Sequence, residues 1–170
     1  MEYCRQRYGW DHHTFDAVYW KGIRTVRLNC TTTQQRQTSK IMHGWLPFGH
    51  MHGNATGNTQ CPGCPCPDET MDHLFRCPHQ KLMESKEDLI TTVCTKGMSS
   101  GIPRVIMETI CRLLYDLVHG NVSIIPEHPS LARAVRSQMD VGTRLLPRGF
   151  ISVEWLECLK DVKIVETIMV

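Results

Sequence analysis

The segment CPGCPCPDETMDHLFRCP, residues 61–78, constrains the fold of this chain more than any other. Cys61, Cys64, His73 and Cys77 stand there at a C-x2-C-x8-H-x3-C spacing. Three thiolates and an imidazole satisfy a tetrahedral zinc ion. Pro62 and Gly63 let the backbone turn between the first two cysteines. His73 and Cys77 are four apart, so one helical turn puts them on one face. Asp68 or Thr70 suits the cap of that helix, and Asp68, Glu69 and Asp72 bring negative charge to its N-terminus. Leu74 and Phe75 then face away from the metal, toward a core. Cys66 is an additional thiol that competes with Cys64 for one ligand position through a looser C-x4-C knuckle. With all four ligands supplied by protein the site is closed, hence structural, since catalytic zinc keeps a position for water. The expectation is one structural Zn2+ ion.

The rest of the composition sets the frame for that knuckle. A chain of 170 residues with 41% apolar content suits one modest core. Net charge is only +2, but residues 1–60 carry seven Lys/Arg against three Asp/Glu. Nine cysteines, an odd number, and the start MEYCRQRYGW without an apolar leader predict a reducing, intracellular setting, cytoplasmic or nuclear, and not a secreted one. No apolar run approaches the roughly 20 residues of a membrane span.

Apolar periodicity predicts an all-α fold of about six helices with the knuckle inserted. The first covers residues 14–28, with Phe15, Val18, Tyr19, Ile23 and Val26 inward and Asp11 or Thr14 as cap. A second runs from about Gln34 to Leu46, buries Ile41, Met42, Trp45 and Leu46, and ends at Pro47. Residues 49–60 read as a loop. Helices follow at 79–94 (Leu82, Leu89, Ile90, Val93 inward), 103–118, 130–146 (Leu131, Ala134, Val135, Met139, Leu145, Leu146 inward) and from Ser152 onward. The 103–118 stripe is the strongest and marks the central helix. Trp45 and Trp155 read as core anchors, Cys111 and Cys158 as core thiols, and residues 162–170 as a strand or frayed tail. Adjacent His12 and His13 point apart and make no ligand pair, and His50 and His52 flank the loop. The chain divides into a basic helical segment (1–58), the knuckle (59–80) and a helical segment (81–170), together one domain.

CP-x-C followed by E-T-x-x-H-L-F-x-C resembles the zinc-binding segment at the C-terminal end of many non-LTR reverse transcriptases. Residues about 9–160 are also similar to a retroelement-associated group of proteins from diatoms and other microalgae. The matching positions are Gly9, Trp10, Phe15, Asp16 and Trp20, then His43-Gly44-Trp45-Leu46-Pro47. After the knuckle they are Gln138, Val141, Gly142, Arg148, Gly149, Ser152 and Trp155. Val141-Gly142-Thr143 departs from the IGW of that group, and Cys66 is additional. The resemblance implies a retroelement-derived protein with a zinc-binding module. It implies no polymerase, because the chain has no Tyr-x-Asp-Asp motif for two-metal nucleotidyl transfer.

The function expected is a non-catalytic, zinc-organised module that associates with RNA or DNA. Lys21, Arg24, Arg27, Arg36 and Lys40 would contact phosphates without reading sequence. No small-molecule substrate is expected. The alternative is a protein-interaction module whose zinc serves folding only. A third reading, a degenerate Mg-dependent restriction-like nuclease, rests on Asp68 with Glu84-Ser85-Lys86, a PD…E-x-K echo. That chemistry needs acids converging on a cation from strands, whereas Glu84 and Lys86 fall on a predicted helix.

Overall fold

A computed structural model describes residues 2–46, 49 and 58–168, with side chains to Val162. Among these residues the fold is all-α, with nine α-helices, one 3-10 helix and no strand beyond an isolated bridge. The helices are α1 (Glu2–Tyr8), α2 (His12–Asp16), α3 (Trp20–Leu28), α4 (Thr32–His43), α5 (Met71–Arg76), α6 (Gln80–Ser99), α7 (Arg104–His119), α8 (Pro129–Val141) and α9 (Glu154–Ile168). The 3-10 helix Thr143–Arg148 joins α8 to the last turn before α9.

The count exceeds six because two of the expected helices are cut, because α1 was not expected, and because the short knuckle helix α5 is counted with the rest. The 14–28 stretch breaks between α2 and α3, where Val18 pairs with Ser152 in an antiparallel bridge. Tyr19 N–H donates to the Ile151 carbonyl at 2.8 Å, and Val153 N–H to the Ala17 carbonyl at 2.7 Å. The 130–146 stretch breaks at Gly142, whose φ of 110° leaves the helical region. Asp11 caps α2 through Thr14 N–H, and Thr31 with Gln34 forms a capping box on α4. Gly44, with φ +64°, ends α4 three residues before the expected stop at Pro47. Trp45 beyond it is 48% exposed and anchors no core.

Two cores meet along α8. One joins Ile106 and Leu113 of α7, Leu131, Ala134 and Val135 of α8, Leu146, and Trp155, Cys158 and Val162 of α9. The other gathers Trp10, Val18, Met42, Val141, Leu145 and Phe150. Its rings lock edge-on: Trp10 and Phe150 centroids are 5.3 Å apart at 87°. Trp10 Nε1 donates to the Val141 carbonyl at 2.9 Å, across 131 positions. This ties the N-terminal helices to the C-terminal half.

The central helix α7 lies where the stripe predicts, although Val105 is exposed and Met107 buried. α6 runs on to Ser99 because Gly97 packs within it against Met107, where a Cβ would sit 2.4 Å from the sulfur. Leu89 and Val93 of α6 are exposed, contrary to their inward assignment. Met139 faces out, and Gln138 takes the interior position beside it. Residues 162–168 continue α9, so the expected strand or frayed tail is a helix. Among the described residues, no helix is long and apolar enough to cross a membrane.

Candidate metal centre

The knuckle is built from backbone outward. Cys61 N–H donates to the Cys66 carbonyl at 3.0 Å, and Glu69 N–H to the Thr59 carbonyl at 2.8 Å, closing the loop on itself. A Cβ on Gly63 would lie 3.0 Å from the His79 ring, so glycine permits the close approach of the turn to the chain after Cys77. Thr70, and not Asp68, caps α5 by accepting from His73 N–H at 3.0 Å. That cap starts the helix carrying His73, one turn before Cys77.

Cys61, Cys64, His73 and Cys77 converge, their ligand atoms all within 4.8 Å of one another. Cys61 Sγ is 3.8 Å from Cys77 Sγ, and Cys64 Sγ is 3.3 Å from His73 Nε2. Metal bonds of about 2.3 Å to sulfur and 2.0 Å to nitrogen give tetrahedral edges of about 3.8 Å (S···S) and 3.5 Å (S···N). These two contacts match the edges around an ion of that size, and no edge of the group exceeds 4.8 Å. Cys61 and Cys77 are buried, Cys64 and His73 half-buried. Cys66 stands outside: its thiol contacts the Asp68 carbonyl at 3.5 Å. The competition between Cys64 and Cys66 is settled by where the turn points each sulfur.

The thiols are electrostatically unequal. Burial pushes the Cys61 thiol up, but the Gly63 N–H, 3.4 Å from its sulfur, and contacts from His73, Cys77 and Cys64 outweigh it and bring Cys61 down to about 7. For Cys64 the Cys66 backbone N–H favours the thiolate, yet burial and the sulfurs of Cys77 and Cys61 raise it on balance. One thiolate is welcome and further ones repel it. A cation at the centre removes that conflict and lets all three ionise.

Three further side chains fix the knuckle to the fold, and sequence spacing gave no sign of two of them. Asp72, read from sequence as dipole charge, accepts from Arg148 Nη2 at 2.6 Å and faces Arg144 Nη1 at 3.4 Å. Arg148 is 76 positions away and only 7% exposed. Lys86 Nζ, also buried, donates to the Cys77 carbonyl at 2.9 Å. Burial lowers the Lys86 ammonium while Cys77 partly opposes this. Three thiolates and an imidazole leave a divalent ion with one net negative charge, and Lys86 sits where it offsets that charge. Met71 is buried, and Phe75 borders an apolar cleft with Leu114, Leu117 and Val118 of α7.

Lys21, Arg24 and Arg27 lie exposed on α3, and Arg36 and Lys40 exposed on α4. Among the described residues none of the five forms an ion pair. Arg24 and Arg27 border a cleft of about 400 Å³ whose wall includes Trp20, Met42 and His43. His12 and His13 are exposed on α2; His50 and His52 lie outside the described residues. Glu84 accepts from Gln80 Nε2 within α6, whereas Lys86, two positions on, donates out of the helix to the Cys77 carbonyl.

No protein-family profile, curated protein or solved structure matches this chain.

Proposed function

We propose that this protein is a non-catalytic, zinc-organised helical module, of retroelement origin by its motif resemblance, that associates with nucleic-acid backbones. The observation that carries the reading is the convergence of Cys61, Cys64, His73 and Cys77, four ligand atoms within 4.8 Å of one another; four protein ligands complete a tetrahedral ion and make a structural site. Zinc is the ion of choice because three thiolates and one imidazole are its structural donor set. The exposed cations of α3 and α4, which form no ion pair among the described residues, support the nucleic-acid part.

Binding to single-stranded RNA or duplex DNA, followed by fluorescence anisotropy, should weaken steeply with salt. Five phosphate contacts give a slope of log K against log salt of about −4. Arg24→Gln with Arg27→Gln should flatten that slope by roughly 2 while leaving the fold unchanged. Salt-insensitive binding, or none, would remove the nucleic-acid assignment and leave the zinc assignment standing.

Zinc affinity should fall with acidification, because the ion must displace protons. The depressed Cys61 thiol contributes as thiolate fully above the ordinary thiol value of 9.0, and that contribution is lost as pH falls through about 7. Cys64 is raised, so its proton must leave even at neutral pH. Competition with a chromophoric chelator should show zinc binding that weakens by at least roughly a hundredfold per pH unit below about 7, one decade for each of the Cys61 and Cys64 protons displaced. A flat profile from pH 8 to 6 would contradict thiolate ligation.

A second reading, a protein-interaction module, draws support from α6. Leu89 (60% exposed) and Val93 border an apolar cleft with Phe75, Ile90, Leu114 and Leu117. Partners that survive nuclease treatment in a pull-down would favour it.

A further inference from the structure

A cleft of about 420 Å³ opens between α1, the start of α5 and the 3-10 helix. Three arginines from two ends of the chain border it: Arg7, Arg144 and Arg148. Two carboxylates, Glu69 and Asp72, share the same wall, so the lining carries net positive charge. Both carboxylates are engaged. Asp72 meets Arg148 through Oδ1 and Arg144 through Oδ2, and Glu69 accepts from Gly49 N–H at 2.8 Å. Arg7 has no carboxylate among the described residues; its Nη2 donates to the neutral His43 carbonyl at 2.7 Å. Arg148 is buried, yet its Nε has no hydrogen-bond partner among the described residues. A buried guanidinium with an unmet donor is costly unless something completes it.

Gly44 marks where the two cations converge. A Cβ there would lie 3.3 Å from Arg148 Nη1 and 3.4 Å from Arg7 Nη2. The two nitrogens are therefore within about 6.7 Å, a gap that one phosphate spans through two charge-assisted hydrogen bonds. The absent side chain at Gly44 keeps that notch open. Gln6 and Thr70 add polar groups at the rim.

We propose that this cleft binds a phosphate group, either a phosphomonoester or a nucleic-acid phosphodiester, between Arg7, Arg144 and Arg148. The site is separate from the α3–α4 cations and stands or falls without them. Planar guanidinium forks suit tetrahedral oxyanions, and a half-enclosed cleft strengthens each contact over a solvated surface lysine.

The test follows arginine Nε–H signals of the 15N-labelled, zinc-loaded chain by NMR. Inorganic phosphate, adenosine 5′-monophosphate and octathymidylate without terminal phosphates are titrated separately, with adenosine and sodium chloride of matched ionic strength as controls. The Arg148 and Arg144 signals should move saturably with at least one phosphate probe and with neither control. Movement with the monoester probes alone assigns a phosphomonoester; movement with octathymidylate assigns the backbone. Arg7→Gln and Arg144→Gln should each weaken the effective probe roughly tenfold, with zinc content and far-UV circular dichroism unchanged. Arg24→Gln with Arg27→Gln should leave it untouched. Signals that stay still with every phosphate probe, or move equally with sodium chloride, overturn the proposal. So does unaltered binding in both the Arg7 and Arg144 variants.

Discussion

Removing the metal, by chelation or by Cys77→Ser, is expected to unfold residues 58–80 while the α7–α9 core persists. Structural zinc contributes roughly 10–16 kcal/mol of apparent free energy in small knuckles, which rivals the whole stability of a typical domain. Nothing else in the segment offers a comparable term. Its internal contacts are a few backbone hydrogen bonds, one cap and the buried Met71. Without a cation, three sulfurs around one imidazole repel further ionisation. The larger core of Ile106, Leu113, Leu131, Val135, Trp155 and Val162 takes no residue from the knuckle. Helical circular dichroism should therefore fall only modestly, while amide exchange across residues 58–80 rises to that of an open chain. Elemental analysis should give one zinc per chain for the native protein. Cys66→Ser should keep the metal, because that sulfur contacts only a backbone carbonyl. Loss of zinc in Cys66→Ser, or unchanged exchange after chelation, would refute the assignment.

Gln138→Ala should destabilise the protein by about 4 kcal/mol, more than any truncation of a half-exposed residue. Gln138 is fully buried. Its Nε2 donates to the Phe150 carbonyl at 3.0 Å. Its Oε1 accepts from Ser152 N–H at 3.0 Å and from Trp155 Nε1 at 3.3 Å. Alanine strands all three partners away from water and leaves a cavity as well. The same amide positions Ser152, which pairs with Val18 and so fixes the break between α2 and α3. Loss of the network should loosen both cores together. Urea denaturation measures the change, and a cost below about 1 kcal/mol would mean that the network is dispensable.

Much of the helical order was legible because it depends on local signals. The α7 stripe, the Asp11 cap and the C-x2-C turn are short-range, so periodicity and spacing located them; the Thr31–Gln34 capping box is as local but was missed, and α4 begins at Thr32 and not near Gln34. Several errors fell where a distant contact decides, and one where a local stop signal was passed over. Met139 and Gln138 are neighbours on α8, and hydropathy favours Met139 as the interior residue. The carbonyl, amide and indole groups awaiting an acceptor and a donor favour Gln138 instead. Trp45 is as apolar as Trp155, but Gly44 ends α4 before Trp45 and directs the chain away from the core. Arg148 and Gly44 were visible only as motif positions. Their meeting with Arg7 depends on α1 folding back across the 3-10 helix.

The sequence by itself determined an all-α chain and the Cys61–Cys64–His73–Cys77 group that could hold a metal ion, because ligand chemistry and helical periodicity are written within a few residues of each other. Tertiary structure alone decided that Asp72, Lys86 and Arg148 hold the knuckle in place, and that three arginines line one cleft. The Asp72–Arg148 pair spans 76 positions, and the cleft brings Arg7 to Arg148 from opposite ends of the chain. Coulombic attraction and desolvation act across space, and no spacing rule along the chain encodes them.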